Sequence, residues 1–174
     1  MNLWWSLVAF GLSQAITMFV QQKERDENFA LATAAAARTG KPLLVVGGPW
    51  GNAGLRRALN WPNHGHGDVC LDLEPAACGE PHFVHGDVRK IPFPAGFFGA
   101  AFCSHVLEHL PTPEDCATAV AELHRVADEV FLCVPGRGTI IAWLAPEHHL
   151  WVDLREGDVS SQPMRPGRVT VPLA

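Results

Sequence analysis

Short, nearly unbroken apolar runs constrain this chain more than any other feature. Leu43 to Val46, Val69 to Leu73, Ala100 to Ser104 and Val130 to Val134 each place four or five mostly apolar residues in a row. Strands with one wet face alternate apolar with polar residues, whereas runs of this kind suit strands covered on both faces of a parallel sheet. His82 to His85 adds one more short strand. Helix-like stretches lie between these runs. Asp26 to Arg38 is Ala-rich without Gly or Pro, a good helix by propensity. Ala53 to Leu59 reads as a helix and Pro75 to Gly79 as a turn or short helix. Pro113 to Val126 is a helix with Pro113 in its first turn and Glu114-Asp115 at its positive end. Strands alternating with helices predict an α/β fold, a doubly wound, mostly parallel Rossmann-like sheet.

In such a sheet, ligands bind outside the C-terminal ends of the strands. Three strand ends carry suitable residues. Gly47 and Gly51 follow the first run, Asp72 lies near the end of the second, and Gly86-Asp87 follows the third. Glycine lets a ligand approach the backbone, and an acid about 25 residues beyond the first turn is within the range that binds ribose hydroxyls. Each residue also has a plainer reading as part of a turn or loop cap. The dinucleotide fingerprint G-x-G-x-x-G is absent, with Pro49 and Asn52 at the required glycine positions, and so is a Walker A loop.

The formal charge of -5 and the lack of a basic stripe argue against nucleic acid as a partner and for a small molecule or lipid-like acceptor. Five scattered cysteines without a C-x-x-C pair read as free thiols of a reducing compartment. No metal is expected from them.

From Leu3 to Val20 there is no charged side chain, and Trp4 and Trp5 stand at one end. As a helix, these residues would span about 27 Å, close to the hydrocarbon thickness of a bilayer. A single-pass anchor over residues 1–22 is expected, with the basic Lys23 and Arg25 placing the following domain on the cytoplasmic side. A buried helix and an in-plane interfacial helix are the competing readings, with Ser6, Ser13, Gln14 and Thr17 near one face; a cleaved signal peptide is the weakest, for want of a basic leader region and an A-x-A-like cleavage site. The folded domain is expected over residues 23–159, followed by an irregular tail over 160–174 that holds at most an edge strand at Val169 to Leu173.

The stretch from His85 to Val126 carries the specific signal. It contains Gly86-Asp87, Ile91-Pro92-Phe93-Pro94, Phe98, Ser104-His105-Val106-Leu107-Glu108-His109-Leu110 and Glu122-Leu123-His124-Arg125-Val126, in that order. It resembles the class I S-adenosylmethionine (SAM)-dependent methyltransferases of the small-molecule, UbiE-like type. The resemblance spans roughly Leu43 to Pro135 and implies SAM as cofactor and methyl transfer to a small-molecule or membrane-associated acceptor. By position it implies Gly47 and Gly51 beneath the methionine and ribose parts of SAM, and Asp72 on the ribose hydroxyls. Asp87 would meet the adenine amine with Val88 beside the ring, and Ser104 and His105 would face the methyl group. The chain departs from the family's first motif at Val45, where an acid is usual, and at Pro49, in place of the middle glycine. Phe98-Gly99 stands for the usual "FD" pair, and no final antiparallel hairpin is apparent. These departures make a catalytically inactive scaffold the alternative reading.

His105 is the expected general base, since histidine exchanges a proton near neutral pH; its plainer role is to order the turn. His105-x-x-Glu108-His109 also matches an inverted zinc-peptidase string, which on a helix would set both histidines on one face. The resembling family carries the same string without a metal, so no metal is expected here. His109, His148, His149 and Trp151 are the candidates for the acceptor side of the site.

Overall fold

The computed structural model describes residues 3–51, 54–155 and 158–164. One helix, α1 (Leu3–Thr39), opens the chain. Strand β1 (Leu43–Val46) follows, then α2 (Gly54–Ala58), β2 (Val69–Asp72), α3 (Pro75–Cys78), β3 (Phe83–His85) and β4 (Phe98–Ser104). A 3-10 turn over Leu107–His109 leads to α4 (Pro113–Val126) and β5 (Ala127–Cys133). After it come α5 (Ile140–Leu144), β6 (Leu150–Arg155) and β7 (Asp158–Pro163).

The first five strands form one parallel sheet in the order β3-β2-β1-β4-β5. Every residue of β1 and β4 is buried, as their unbroken apolar sequences require. Strand β5 is an edge, and its first half carries Asp128 and Glu129, which pair with Lys41 and Arg38. Charges on an edge discourage pairing with another chain.

The sheet is covered on one face by the C-terminal half of α1. Ala32, Ala35 and Ala36 are buried there against Leu43, Val45, Ala100 and Phe102. Small side chains let the helix come close. At Gly99 a Cβ would lie 2.9 Å from Ala36 Cα, so no side chain fits at this position. The other face is covered by α4, capped by Thr112, whose hydroxyl accepts from Asp115 N–H at 3.1 Å. Its buried Cys116, Ala119, Leu123 and Val126 recur at helical spacing. Leu150 and Val152 of β6 extend this cluster, with Val159 of β7 packed against it.

Four expectations are corrected. First, no helix among the described residues is long and apolar enough to cross a membrane. The expected anchor is the first half of the 37-residue α1, about 55 Å long at 1.5 Å per residue. The boundary at residue 22 therefore falls inside a continuous helix. Its polar face explains the difference: Gln14 donates to the Gly138 carbonyl at 3.1 Å and accepts from Ile140 N–H at 2.8 Å. Trp4, Trp5, Phe10, Ile16 and Phe19 on this half remain exposed. Second, Cys70 and Cys78 form a disulfide, because α3 turns back over β2 and brings their Cα atoms to 5.8 Å. Cys103, Cys116 and Cys133 are free and buried. Third, β6 and β7 make an antiparallel hairpin. Fourth, β7 runs through Ser160 to Pro163, so the tail is not irregular from residue 160. The expected strand at Val169 to Leu173 lies outside the described residues.

Candidate functional site

The chain order reverses direction across the sheet between β1 and β4, the position where open α/β sheets bind ligands. A cleft of about 1220 Å³ opens there, beyond the C-terminal ends of β1 to β4. It receives Gly47 and Gly51 after β1, Asp72 from β2, Asp87 and Val88 after β3, and Ser104 with His105 from β4. His109 and His149 also line it. Seven residues expected at the cofactor and catalytic positions and two expected on the acceptor side thus share one cavity. His148 lies beside it, its ring 4.8 Å from that of His109. Trp151 lies elsewhere: it is buried in β6 against Trp143 and beneath the Arg137 guanidinium. Its expected place at the acceptor rim is corrected, because β6 turns that face toward α5.

The glycine turn is built for close backbone approach. A Cβ on Gly47 would lie 2.5 Å from Val106 Cγ2, and one on Gly48 would collide with the Ala77 carbonyl. Gly51 has φ +53 and open space around it. Asp72 is seated from two sides: Gly48 N–H donates to its Oδ2 at 3.0 Å and Glu74 N–H to its Oδ1 at 2.9 Å. Each carboxylate oxygen keeps a further lone pair for a hydroxyl donor. A glycine cradle beside a pre-oriented carboxylate fits the ribose and methionine ends of SAM.

Asp87, expected at the adenine end, is arranged differently. Arg89 grips Asp87 with its own backbone N–H, Nε and Nη2, the last at 2.6 Å from Oδ2. It also reaches Asp115 at 2.9 Å. Arg89 holds the Asp87 carboxyl below the usual carboxylate range. Val88 is buried beside this pair.

His105 has φ +54, an unusual conformation for a residue with a side chain. Its backbone N–H donates to the Cys133 carbonyl at 2.9 Å, which pins it between β4 and β5. The ring Nε2 lies 2.6 Å from Arg25 Nη2. Guanidinium only donates, so Nε2 accepts and Nδ1 carries the proton. Burial first, and Arg25 second, push the His105 pKa down to about 3. The lone pair expected to act as general base is engaged by Arg25 in this arrangement, which is the geometry of an ordering role. Nδ1 faces Glu108, 3.6 Å from Oε1. Glu108 is fully buried, and neither of its carboxylate oxygens has a hydrogen-bond partner among the described residues. Burial raises its pKa to about 8.

Sequence reasoning missed the wall opposite β4. Arg25 reaches the cleft from α1, and Asn63 and His64 reach it from the loop after α2. Gln22 ties the two together by donating to the Asn63 carbonyl at 3.0 Å. Arg25 Nε and Asn63 Oδ1 are buried without hydrogen-bond partners among the described residues. Pro49 is fully buried and accepts from Asn63 N–H at 2.8 Å, so it anchors the same loop. The expected pairing of His105 and His109 on one helix face does not form, since residues 107–109 are a 3-10 turn.

Residues 58–129 match the family model of a methyltransferase domain. The match begins at the end of α2 and stops in β5, taking in Asp72, Asp87 and His105 but not the glycine turn. The crystal structure of the PH0226 protein from Pyrococcus horikoshii OT3 is similar at 14% identity. That similarity covers 77% of this chain and 69% of the other, with a TM-score of 0.42. No curated protein matches the chain.

Proposed function

We propose that this chain transfers a methyl group from SAM to a small-molecule acceptor, in the manner of the UbiE-like methyltransferases. One observation carries the reading: the cleft at the switch point gathers Gly47, Gly51, Asp72, Val88, Ser104 and His105, within a chain that matches a methyltransferase domain over residues 58–129. Bound SAM supplies an electrophilic sulfonium methyl group. Asp72, held by the Gly48 and Glu74 amides, accepts from the ribose hydroxyls, and the glycine turn admits the methionine part. Asp87 takes the adenine amine once Arg89 yields one of its contacts. Ser104 and the rigid, neutral His105 form the floor on which the acceptor is oriented. Rate then comes mainly from positioning the two reactants.

Calorimetric titration with SAM and S-adenosylhomocysteine tests the proposal. Micromolar binding is expected, weakened at least about tenfold, or 1.4 kcal/mol, in Asp72→Asn. A folded chain that binds neither compound would refute the reading.

A non-catalytic scaffold is the second reading, favoured by the Arg89 grip on Asp87 and the Arg25 grip on His105. Binding without turnover across a panel of O, N and C acceptors would select it.

A further inference from the structure

We propose that Glu108, His109 and His148 form a binding site for one zinc-like divalent ion at the edge of the cleft. The three residues each place one potential ligand atom within 4.8 Å of the other two. This is the two-histidine, one-carboxylate set found around zinc. Glu108 is 1% exposed, and both its oxygens lack a hydrogen-bond partner among the described residues. A carboxyl group buried in this way needs a cation or a donor to compensate its lost hydration.

The histidines are prepared as ligands. His109 Nδ1 lies 3.2 Å from the Glu147 carbonyl, and His148 Nδ1 lies 3.1 Å from the Ala142 carbonyl. A carbonyl only accepts, so in both rings Nδ1 carries the proton and Nε2 keeps its lone pair. Anchoring one ring nitrogen on an acceptor while the other binds metal is the usual outer arrangement of metal-bound histidine. His105, with Nε2 held by Arg25, places its protonated Nδ1 nitrogen 3.6 Å from Glu108 Oε1 and stands as the outer partner of the carboxylate.

Ligand atoms around zinc, at bonds of about 2.0–2.1 Å, lie about 3.3 Å from one another. The cluster must close by roughly 1.5 Å. Both sides of it can adjust, since Glu108 and His109 lie in the 3-10 turn and His148 in the loop before β6. The ion would fasten these two segments. Three protein ligands leave a fourth position open, and one of them, His109, lines the cleft. Nitrogen and oxygen donors favour zinc over magnesium or calcium. The proposal does not depend on methyl transfer.

The test uses the tag-free full chain, stripped with a chelator and titrated with Zn²⁺ against a chromophoric competitor. One equivalent is expected to bind, and Co²⁺ is expected to give the visible bands of a four-coordinate site. His109→Ala and His148→Ala should each lower affinity more than the roughly 10–100-fold loss expected of the outer-partner variant His105→Ala. His82→Ala should bind as the native chain does. As a measurement that needs no variant, Zn²⁺ should protect His109 and His148, but not His82, from carbethoxylation read by mass spectrometry. Absence of binding by the folded native chain, native affinity in both ligand variants, or absence of protection would each overturn the site. The SAM titration fails or succeeds separately from these readouts.

Discussion

At the scale of single residues, the cleft depends on positions where no side chain fits and on one carboxylate. Gly48 is the most constrained, because its missing Cβ faces the Ala77 backbone, which cannot rotate away. Gly48→Ala is expected to destabilise the fold by about 1–3 kcal/mol or more, as overpacking does, and to displace Asp72, which accepts the Gly48 N–H. Urea unfolding and SAM titration check the two effects together. The placement of a glycine turn and an acid at strand ends, at Gly47, Gly51 and Asp72, was legible in the sequence; the tight fit of Gly48 was not, since it depends on the Ala77 backbone. The grips of Arg89 on Asp87 and of Arg25 on His105 were not legible. Arg89 acts through rotamer and Arg25 through a contact across 80 positions of sequence, and no local pattern encodes either.

At the scale of elements, α1 is the part least like its sequence reading. Hydropathy separates its charge-free first half from its Ala-rich second half, but helix propensity does not break between them. A continuous helix therefore carries Arg25 to the cleft and Ala36 onto β4. Two predictions belong to this element. In Arg25→Met, loss of the guanidinium removes the second cause of the low His105 pKa while burial, the larger one, remains. The His105 pKa should rise above about 3 yet stay below the ordinary value of 6.5, and an NMR titration of the imidazole measures it. In Gly99→Asp the new side chain meets Ala36 and Thr39. The melting temperature should fall by roughly 5 °C or more, since 1 kcal/mol corresponds to a few degrees in a domain of this size. The β6–β7 hairpin escaped the sequence reading because its polar second strand, Asp158–Pro163, lacks an apolar run. The central strands β1 and β4 were legible because their two covered faces leave a nearly unbroken apolar record.

At the scale of the whole molecule, buried titratable groups of opposite kind set the pH range of stability. His64 and His105 are neutral in the folded state down to about 4 and about 3. In the unfolded chain they take up protons near 6.5. Below that pH the unfolded state binds more protons, so stability falls with acidification by up to about 1.4 kcal/mol per pH unit for each group. Glu108 works in the other direction. Its folded pKa of about 8 lies above the ordinary 4.5, so between these values the folded state holds one proton more. Its contribution is complete below 4.5 and is lost as pH rises through 8. In chelator, which keeps metal from the carboxylate, stability should therefore peak near pH 6.5. From 6.5 to 4.5 the two histidines outweigh the one carboxyl group, and burial of His66, His109 and His148, which lowers their pKa values too, steepens the same limb. Above 6.5 the carboxyl group sets the slope, joined at the alkaline end by the buried thiols of Cys103, Cys116 and Cys133, which burial pushes up. Melting temperatures from pH 4 to 9 measure the profile. His64→Phe keeps the ring contacts with Phe29 and Phe102 while removing one titrating group, and should shallow the acid limb. Glu108→Gln should flatten the alkaline limb without moving the acid one to lower pH. An alkaline limb that Glu108→Gln leaves unchanged would show that the buried carboxyl group does not hold its proton in the folded chain.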